Sequence, residues 1–461
     1  MRINDTIAAV STPRGKGGIA VIRISGADAI GLADRAFKPA RNVSLAETAS
    51  GRAVYGRIFS PDEKKPIDDG IAVVFRAPSS FTGEDTVEIS CHGGLLVTEA
   101  VLSAVLTAGA RHAEAGEFTR RAFVNGKMGL SEAEALSNLL EAKNAAQLRL
   151  ARSGLDGRLE KKCRALYDGL KMLLASLYAR IDYPDEDLAD MSADEMCVQL
   201  KDWLGELERL IATYKSGHAI AEGIRTVICG KPNVGKSSLY NRIVGREAAI
   251  VTDLEGTTRD VLEETASLGG VTLRLCDTAG LRDTGDRVES IGVSRAYEKI
   301  NEAELILAVF DGSSPLSEED IELMEYLSDK KDRTFAVINK TELDQKIEKD
   351  RIISCFGEVI EISAASEDGI KALIDTAESE FLDRGLNVDN DPIVFGARQH
   401  ASLSKARICL DEAVAILENG GEIDASAFAV ETAMASLAEL DGREVGEDIV
   451  SRIFSSFCVG K

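Results

Sequence analysis

The spacing of apolar residues changes three times along this chain, and each change predicts a different kind of secondary structure. Up to about residue 120, short apolar stretches alternate with polar turns, which predicts mixed α and β structure. Ile19-Ala20-Val21-Ile22-Arg23-Ile24-Ser25-Gly26 reads as a strand with a charge inside it. It follows a flexible basic turn, Thr12-Pro13-Arg14-Gly15-Lys16-Gly17-Gly18. A strand pair is expected around residues 71–75 and 86–90, with Phe81-Thr82-Gly83-Glu84-Asp85 between them and Cys91-His92-Gly93-Gly94 after them. A short helix is expected over 95–106. Arg23, Glu88 and His92 lie in or beside strands. They read either as the lining of a pocket or as an Arg–Glu pair bridging neighbouring strands.

From about Arg121 to His218 the period becomes helical. Leu130-Ser131-Glu132-Ala133-Glu134 starts one helix, with Ser131 as the expected cap. Residues 139–177 continue with helical spacing, Tyr183-Pro184-Asp185 breaks the run, and a further helix is expected over 194–214. Arg149, Arg152, Arg158, Lys161, Lys162 and Arg164 concentrate positive charge here, as a solvated helix face or an RNA-facing patch.

Between about 220 and 384, apolar runs alternate with amphipathic stretches at α/β spacing. Strands are expected at 226–229, 261–268, 271–276, 305–310, 335–338 and 359–362. After Asp389 the pattern is helical again, over 401–417 and 425–440. The α/β segment therefore reads as inserted into a helical domain.

Composition narrows this picture. At 461 residues, about three domains of roughly 150 residues are expected. No apolar run approaches the roughly 20 residues of a membrane span. The N-terminus lacks an apolar signal segment, so a cytoplasmic location is expected. The eight cysteines are scattered, with no Cys-x-x-Cys, which points to reduced thiols. The net charge of −23 argues against broad electrostatic attraction to nucleic acid.

The candidate chemistry lies in the inserted segment. The apolar run Val227-Ile228-Cys229 leads into Gly230-Lys231-Pro232-Asn233-Val234-Gly235-Lys236-Ser237, followed by Ser238 and a helical pattern. This Gly-x-x-x-x-Gly-Lys-Ser arrangement is a phosphate-binding loop. Its N–H groups can face phosphate oxygens, Lys236 can reach the β- and γ-phosphates, and the Ser237 hydroxyl can ligate magnesium. Gly256-Thr257-Thr258 has the position of a first switch. Asp277-Thr278-Ala279-Gly280 follows a strand, where Asp277 can hold magnesium through water and the Gly280 N–H can approach the γ-phosphate. Asn339-Lys340 and Ser363-Ala364 fall where a guanine base would be held. Their order along the chain predicts a GTPase of translation-factor type.

Two positions depart from the usual pattern. The base-reading motif is Asn-Lys-x-Asp in this superfamily, but the chain carries Glu342 at its last position. Glu extends the carboxylate by one methylene, about 1.5 Å, so looser base discrimination is expected. Leu281 stands where a water-orienting glutamine is often found, which leaves Glu289 as the best-placed carboxylate.

The whole chain resembles the MnmE (TrmE) family of tRNA-modification GTPases. The resemblance rests on Val21-Ile22-Arg23-Ile24-Ser25-Gly26, Phe81-Thr82-Gly83-Glu84-Asp85, Gly116-Glu117-Phe118, Asp182-Tyr183-Pro184-Asp185, Gly256-Thr257-Thr258-Arg259-Asp260 and the terminal Cys458-Val459-Gly460-Lys461. It implies an α/β + α multidomain architecture: an N-terminal α+β folate-binding and dimerisation domain over 1–120, a discontinuous helical domain over 121–219 and 385–461, and an inserted Ras-like α/β G domain over 220–384. Arg23, Glu88, Lys127 and Lys461 match positions that contact 5-formyl-tetrahydrofolate or a related folate. Cys458 matches a cysteine important for modification, and Glu289 the catalytic glutamate. GTP would be held by Asn233 to Ser238, by Thr252, Asp253, Leu254, Glu255, Gly256, Thr257 and Thr258, by Asp277 to Gly280, and by Asn339, Lys340, Glu342, Ser363 and Ala364. Ser237 and Thr258 match magnesium ligands. Asn233, Thr252, Leu254 and Thr257 match a potassium site that replaces an arginine finger.

The resemblance further implies a homodimer whose G domains meet across the potassium sites. It implies a heterotetramer with the FAD protein MnmG (GidA), and tRNA bound mainly through that partner. The competing readings are a ribosome-assembly GTPase, which would carry a basic RNA-binding appendage, and a folate-dependent one-carbon transferase with a regulatory G domain.

Overall fold

The computed structural model describes residues 5–41, 43–62, 65–182, 191–246, 264–276, 298–366, 368–383, 385–443, 446–455 and 457–460. The chain divides into two compact units, Met1–Ser137 with Ala438–Lys461, and Asn138–Leu437.

The first unit is built on strands β1 (Ile7–Val10), β2 (Ile19–Ser25), β3 (Phe37–Pro39), β4 (Ala53–Phe59), β5 (Pro66–Phe75), β6 (Thr86–His92) and β7 (Arg111–His112). They form one sheet in the order β3-β4-β5-β6-β2-β1-β7. All pairings are antiparallel except β1 with β7. Alternation decides which face is covered: Ile22, Ile24, Ala72, Val74, Val87 and Ile89 are buried. Helices α1 (Ala29–Ala36) and α2 (Leu95–Thr107) supply Ala33, Ala36, Val101 and Val105 to the same core. Strand β2 ends at Ser25 because Gly26 turns the chain at φ 138°, where a Cβ would lie 2.7 Å from the Asp5 carbonyl oxygen. Helix α3 (Glu117–Val124) and the start of α4 (Leu130–Glu141) follow. Leu130 and Ala133 of α4 pack with Val450, Phe454 and Phe457.

The second unit contains α5 (Ala145–Leu155), α6 (Arg158–Asp182), α7 (Ala193–Ala212) and α8 (Tyr214–Ala221), then the inserted sheet, then the helix Ala397–Glu418, which packs on α7. The inserted strands are β8 (Ile224–Cys229), β9 (Glu264–Leu268), β10 (Val271–Leu275), β11 (Leu305–Asp311), β12 (Thr334–Asn339) and β13 (Val359–Glu361). Their order is β13-β12-β11-β8-β10-β9, parallel except for the β9–β10 hairpin. Near-continuous burial of Leu305 to Phe310 is the pattern of a strand covered on both faces.

Several helix details differ from expectation. The stretch 139–177 is not one continuous run. It breaks before α5, where the Asn144 side chain accepts the Gln147 N–H at 2.9 Å and starts a new helix. It breaks again at Asp156-Gly157, where Gly157 takes φ 64°. Ser131 is not a cap: it lies inside α4 and donates its hydroxyl to the Leu440 carbonyl at 2.9 Å. The Tyr183–Pro184–Asp185 break falls outside the described residues.

Candidate functional site

The phosphate loop begins where β8 ends, between β11 and β10 in the sheet. Gly230 takes φ 142°, and a Cβ there would come 2.3 Å from the Val309 carbonyl oxygen, so only glycine lets the loop leave β8 this close to β11. Val234 is fully buried and anchors the loop, while Asn233 is exposed at φ 64°. Helix α9 (Lys236–Arg246) opens on the motif lysine and serine, the arrangement that aims a helix N-terminus at an anion. Lys236 Nζ donates to the carbonyls of Gly230 at 2.8 Å and Lys231 at 2.7 Å, so the side chain folds across the loop. Burial lowers its pKa from the ordinary value. Burial also pushes the Cys229 thiol beneath the loop up to about 12, which leaves it protonated and unreactive. Lys231 reaches sideways to Asp320 Oδ2 at 2.6 Å, tying the loop to the helix Glu318–Leu327.

The candidate base-binding residues sit at neighbouring strand ends. Asn339 closes β12, is buried, and bridges two loops. Its Nδ2 donates to the Val234 carbonyl at 2.8 Å, and its Oδ1 accepts the Ala364 N–H at 2.9 Å. Lys340 takes φ 67° and pairs with Asp311 Oδ2 at 2.6 Å. Burial alone would raise the Asp311 pKa, but Lys340 and Ser313 outweigh it and hold the carboxyl below its usual range. Ser363 and Ala364 are buried after β13, whereas Glu342 is exposed. The structure thus gathers Val234, Lys236, Asn339, Lys340, Ser363 and Ala364 around the C-terminal ends of β8, β12 and β13, the side on which open α/β sheets bind ligands. Thr252, Asp253, Leu254, Glu255, Gly256, Thr257, Thr258, Asp277, Thr278, Ala279, Gly280 and Glu289 lie outside the described residues.

A second constellation lies in the first unit. Arg23 on β2 and Glu88 on β6 are direct cross-strand partners, with Arg23 Nε donating to Glu88 Oε1 at 2.9 Å. The strand-bridging pair is therefore present. The Arg23 guanidinium also lies 5.3 Å from the Phe81 ring and 5.7 Å from the Phe118 ring. Lys127 Nζ donates to the Pro78 carbonyl at 3.0 Å, and its stem lies against Gly83. His92, read as possible pocket lining, instead pairs its Nδ1 with Asp68 Oδ1 at 2.8 Å.

The tail reaches the same unit. Val459 bridges to Ala115, Gly116 N–H donates to the Cys458 carbonyl at 3.4 Å, and Ser11 Oγ donates to the Gly460 carbonyl at 3.0 Å. Cys458 is exposed, and Lys461 lies outside the described residues.

Sequence reasoning missed the scaffold behind this constellation. Arg121 is 1 % exposed and binds Asp5 Oδ1 at 2.6 Å, Glu117 Oε1 at 3.0 Å and Glu84 Oε2 at 3.3 Å. Arg111 adds a 2.6 Å contact to Glu117. The Ser25 hydroxyl donates to Glu84 Oε2 at 2.8 Å, so the loop carrying Phe81 is held from β2 and from α3. The one signal in the sequence was Arg121 four residues after Glu117, a helical ion-pair spacing. Asp311 was missed too, although it ends an apolar strand directly opposite Asn339.

A parallel sheet carrying a phosphate loop, an Asn-Lys turn and a Ser-Ala turn at successive strand ends defines a phosphate-loop GTP hydrolase. Comparison with known proteins places it more narrowly. Residues 6–127 match the family model described as "GTP-binding protein TrmE N-terminus", and 130–458 match "MnmE helical domain". The chain is 40% identical over 463 residues to the tRNA modification GTPase MnmE of Clostridioides difficile (strain 630), covering 100% of both chains. It is 40% identical over 460 residues to the protein of that name from Bacillus licheniformis, covering 99% of this chain and 100% of that one. The chain belongs to the MnmE family of tRNA modification GTPases, and hydrolyses GTP in the service of tRNA modification. Among the described residues, no helix is long and apolar enough to cross a membrane.

Proposed function

We propose that the protein is a potassium-dependent GTPase activated by dimerisation. With MnmG (GidA) it forms a heterotetramer that adds a carboxymethylaminomethyl or aminomethyl group to the wobble uridine of certain tRNAs. The division into 1–120, 121–219 with 385–461, and 220–384 belongs to the same reading. The observation that carries it is the joining of tail and sheet unit: Cys458–Gly460 is held by Ala115, Gly116 and Ser11, the residue that follows β1.

The residues present fit the groups this reading requires. A guanidinium near two phenyl rings and paired with a carboxylate suits a folate, which has polar edges on a flat ring. Arg23, Glu88, Lys127 and Lys461 would hold it, and it would supply the one-carbon unit. Cys458 would act in the modification step. The exposed Asn233 amide is a hard oxygen donor suited to potassium, completed by Thr252, Leu254 and Thr257. The hydroxyls of Ser237 and Thr258 would ligate magnesium. Lys236 would stabilise charge on the transferring phosphoryl group, and Glu289 would orient water. The apolar side chains of Tyr55 and Ile71, cross-strand partners with exposures of 58% and 45%, are compatible with burial in a homodimer. The charge of −23 is consistent with tRNA being held mainly by the partner, and a cytoplasmic location agrees with that role.

The test is GTP hydrolysis in potassium and in sodium at matched ionic strength. Potassium should accelerate turnover by at least about tenfold, the order expected for removing one charge-stabilising contact. Equal rates would rule out the cation-assisted mechanism while leaving GTP binding in place.

A further inference from the structure

The helix that presents Lys236 and Ser237 to the nucleotide phosphates also reaches the opposite end of the site. Arg242 lies further along α9 and crosses to the loop after β13. Its Nε donates to the Ala364 carbonyl at 3.2 Å, and one terminal nitrogen donates to the Ala365 carbonyl at 2.9 Å. Two successive carbonyls thus meet one planar guanidinium, a match a lysine cannot reproduce. On its other side Ala364 gives its N–H to Asn339 Oδ1. Ala364 is therefore gripped through its N–H by the β12 end and through its carbonyl by α9. The rest of the turn is closed internally, with Ser366 N–H on Ser363 Oγ at 3.1 Å and Ser363 N–H on the Asp368 carbonyl at 2.9 Å.

We propose that Arg242 is a positioning residue for guanine recognition, holding the Ser363–Ala365 loop at a fixed distance from the phosphate loop. The inference rests on the reading of that loop as part of the guanine site. It matters more here than where the base-reading motif ends in Asp. Glu342 is exposed and carries its carboxylate one methylene further out, so more of the discrimination must come from a rigid backbone loop.

The test uses the full-length protein and fluorescent mant-GDP. Arg242→Ala should speed mant-GDP release about tenfold, the equivalent of one lost charge-assisted hydrogen bond. KM for GTP should rise by a similar factor, while kcat at saturating GTP changes less than twofold. Arg242→Lys should give an intermediate release rate, because an ammonium can serve one carbonyl but not both. Unchanged release in Arg242→Ala would overturn the proposal, as would a fall in kcat with no change in KM. If Arg242→Ala does not fold, Arg242→Lys carries the test, and native release in that variant is the overturning result. Failure of the unmodified protein to bind mant-GDP would overturn the guanine-site reading itself, a separate failure.

Discussion

The two sheets place their chemistry in different ways. In the inserted parallel sheet, the candidate groups stand just beyond the strand ends: Lys236 at the start of α9 after β8, Lys340 after β12 and Ala364 after β13. The central strands β11 and β12 are largely apolar and nearly continuously buried. In the N-terminal antiparallel sheet, the polar pair Arg23–Glu88 lies within the strands, on the face opposite the core. A parallel sheet covered on both sides has no free face to offer, so function moves to its edge. In the antiparallel sheet the second face is only partly covered, by Ile7, Ala9 and Phe118, so Arg23 and Glu88 stay partly exposed beside that cluster, and strict alternation aims each side chain.

This difference also decides what the sequence could reveal. A loop at a strand end is contiguous, so Gly230–Ser237 and Asn339-Lys340 are legible as motifs in order. What ties them together is not legible. Asn339 joins Val234 to Ala364, and Arg242 joins α9 to the next loop, through partners far apart in the chain. On the N-terminal sheet the residue types of Arg23 and Glu88 stood out, but their pairing depends on register, and a one-residue slip would send them to opposite faces. Strands β1, β3, β4 and β7 are not legible in the apolar pattern; β3 and β7 are only 3 and 2 residues long. The helical period continues across the start of α5 because apolar spacing alone does not register a cap such as Asn144.

The largest effect should come from breaking the loop side. Lys236→Ala should lower GTP hydrolysis on the order of 10³-fold, because the group proposed to stabilise phosphoryl charge is gone. The fold should lose only about 1–3 kcal/mol, since among the described residues the lysine leaves the Gly230 and Lys231 carbonyls without its donors. Steady-state phosphate release and a urea melt measured together separate the two. Hydrolysis above a tenth of the native rate would show that the strand-end loop is not where the chemistry lies.

The face side should break through stability. Arg121→Met removes a buried cation from three carboxylates, those of Asp5, Glu84 and Glu117. Burial raises the Glu117 pKa, and Arg111, the Glu114 N–H and Arg121 together bring it below the ordinary value. Without Arg121 the carboxylates repel one another, at a cost of about 3–5 kcal/mol. Urea denaturation followed by amide exchange of β2 and β6 would report it. GTP affinity of the folded variant should be native, because no residue of the network belongs to the inserted sheet. A coupled loss of GTP affinity would blur the contrast between the two sheets.

The smallest effect concerns the other ends of the parallel strands. His218 on α8 places Nε2 3.4 Å from Glu304 Oε1 and Nδ1 3.7 Å from Glu222 Oε2. Arg225 at the start of β8 also contacts Glu304, and the Tyr214 ring lies between those of His218 and His400. Glu304 raises the His218 pKa above 6.5, with Glu222 adding to the rise and burial and Arg225 opposing it. Reciprocally, His218, helped by the backbone N–H and charge of Arg225, draws the Glu304 pKa from 4.5 down to about 2 against the pull of burial. A raised histidine contributes stability that is fully present below pH 6.5 and lost as pH climbs through the folded value. A lowered carboxylate contributes stability that is present above pH 4.5 and lost as pH falls towards 2. The pair therefore supports the fold most between about pH 4.5 and 6.5. Thermal unfolding of the native protein should show a decline from pH 6.5 upward that His218→Gln flattens, while GTP turnover at pH 7.5 stays native. Identical pH slopes would remove the pair from the stability of the sheet. A changed turnover would mean that strand starts, and not only strand ends, take part in the reaction.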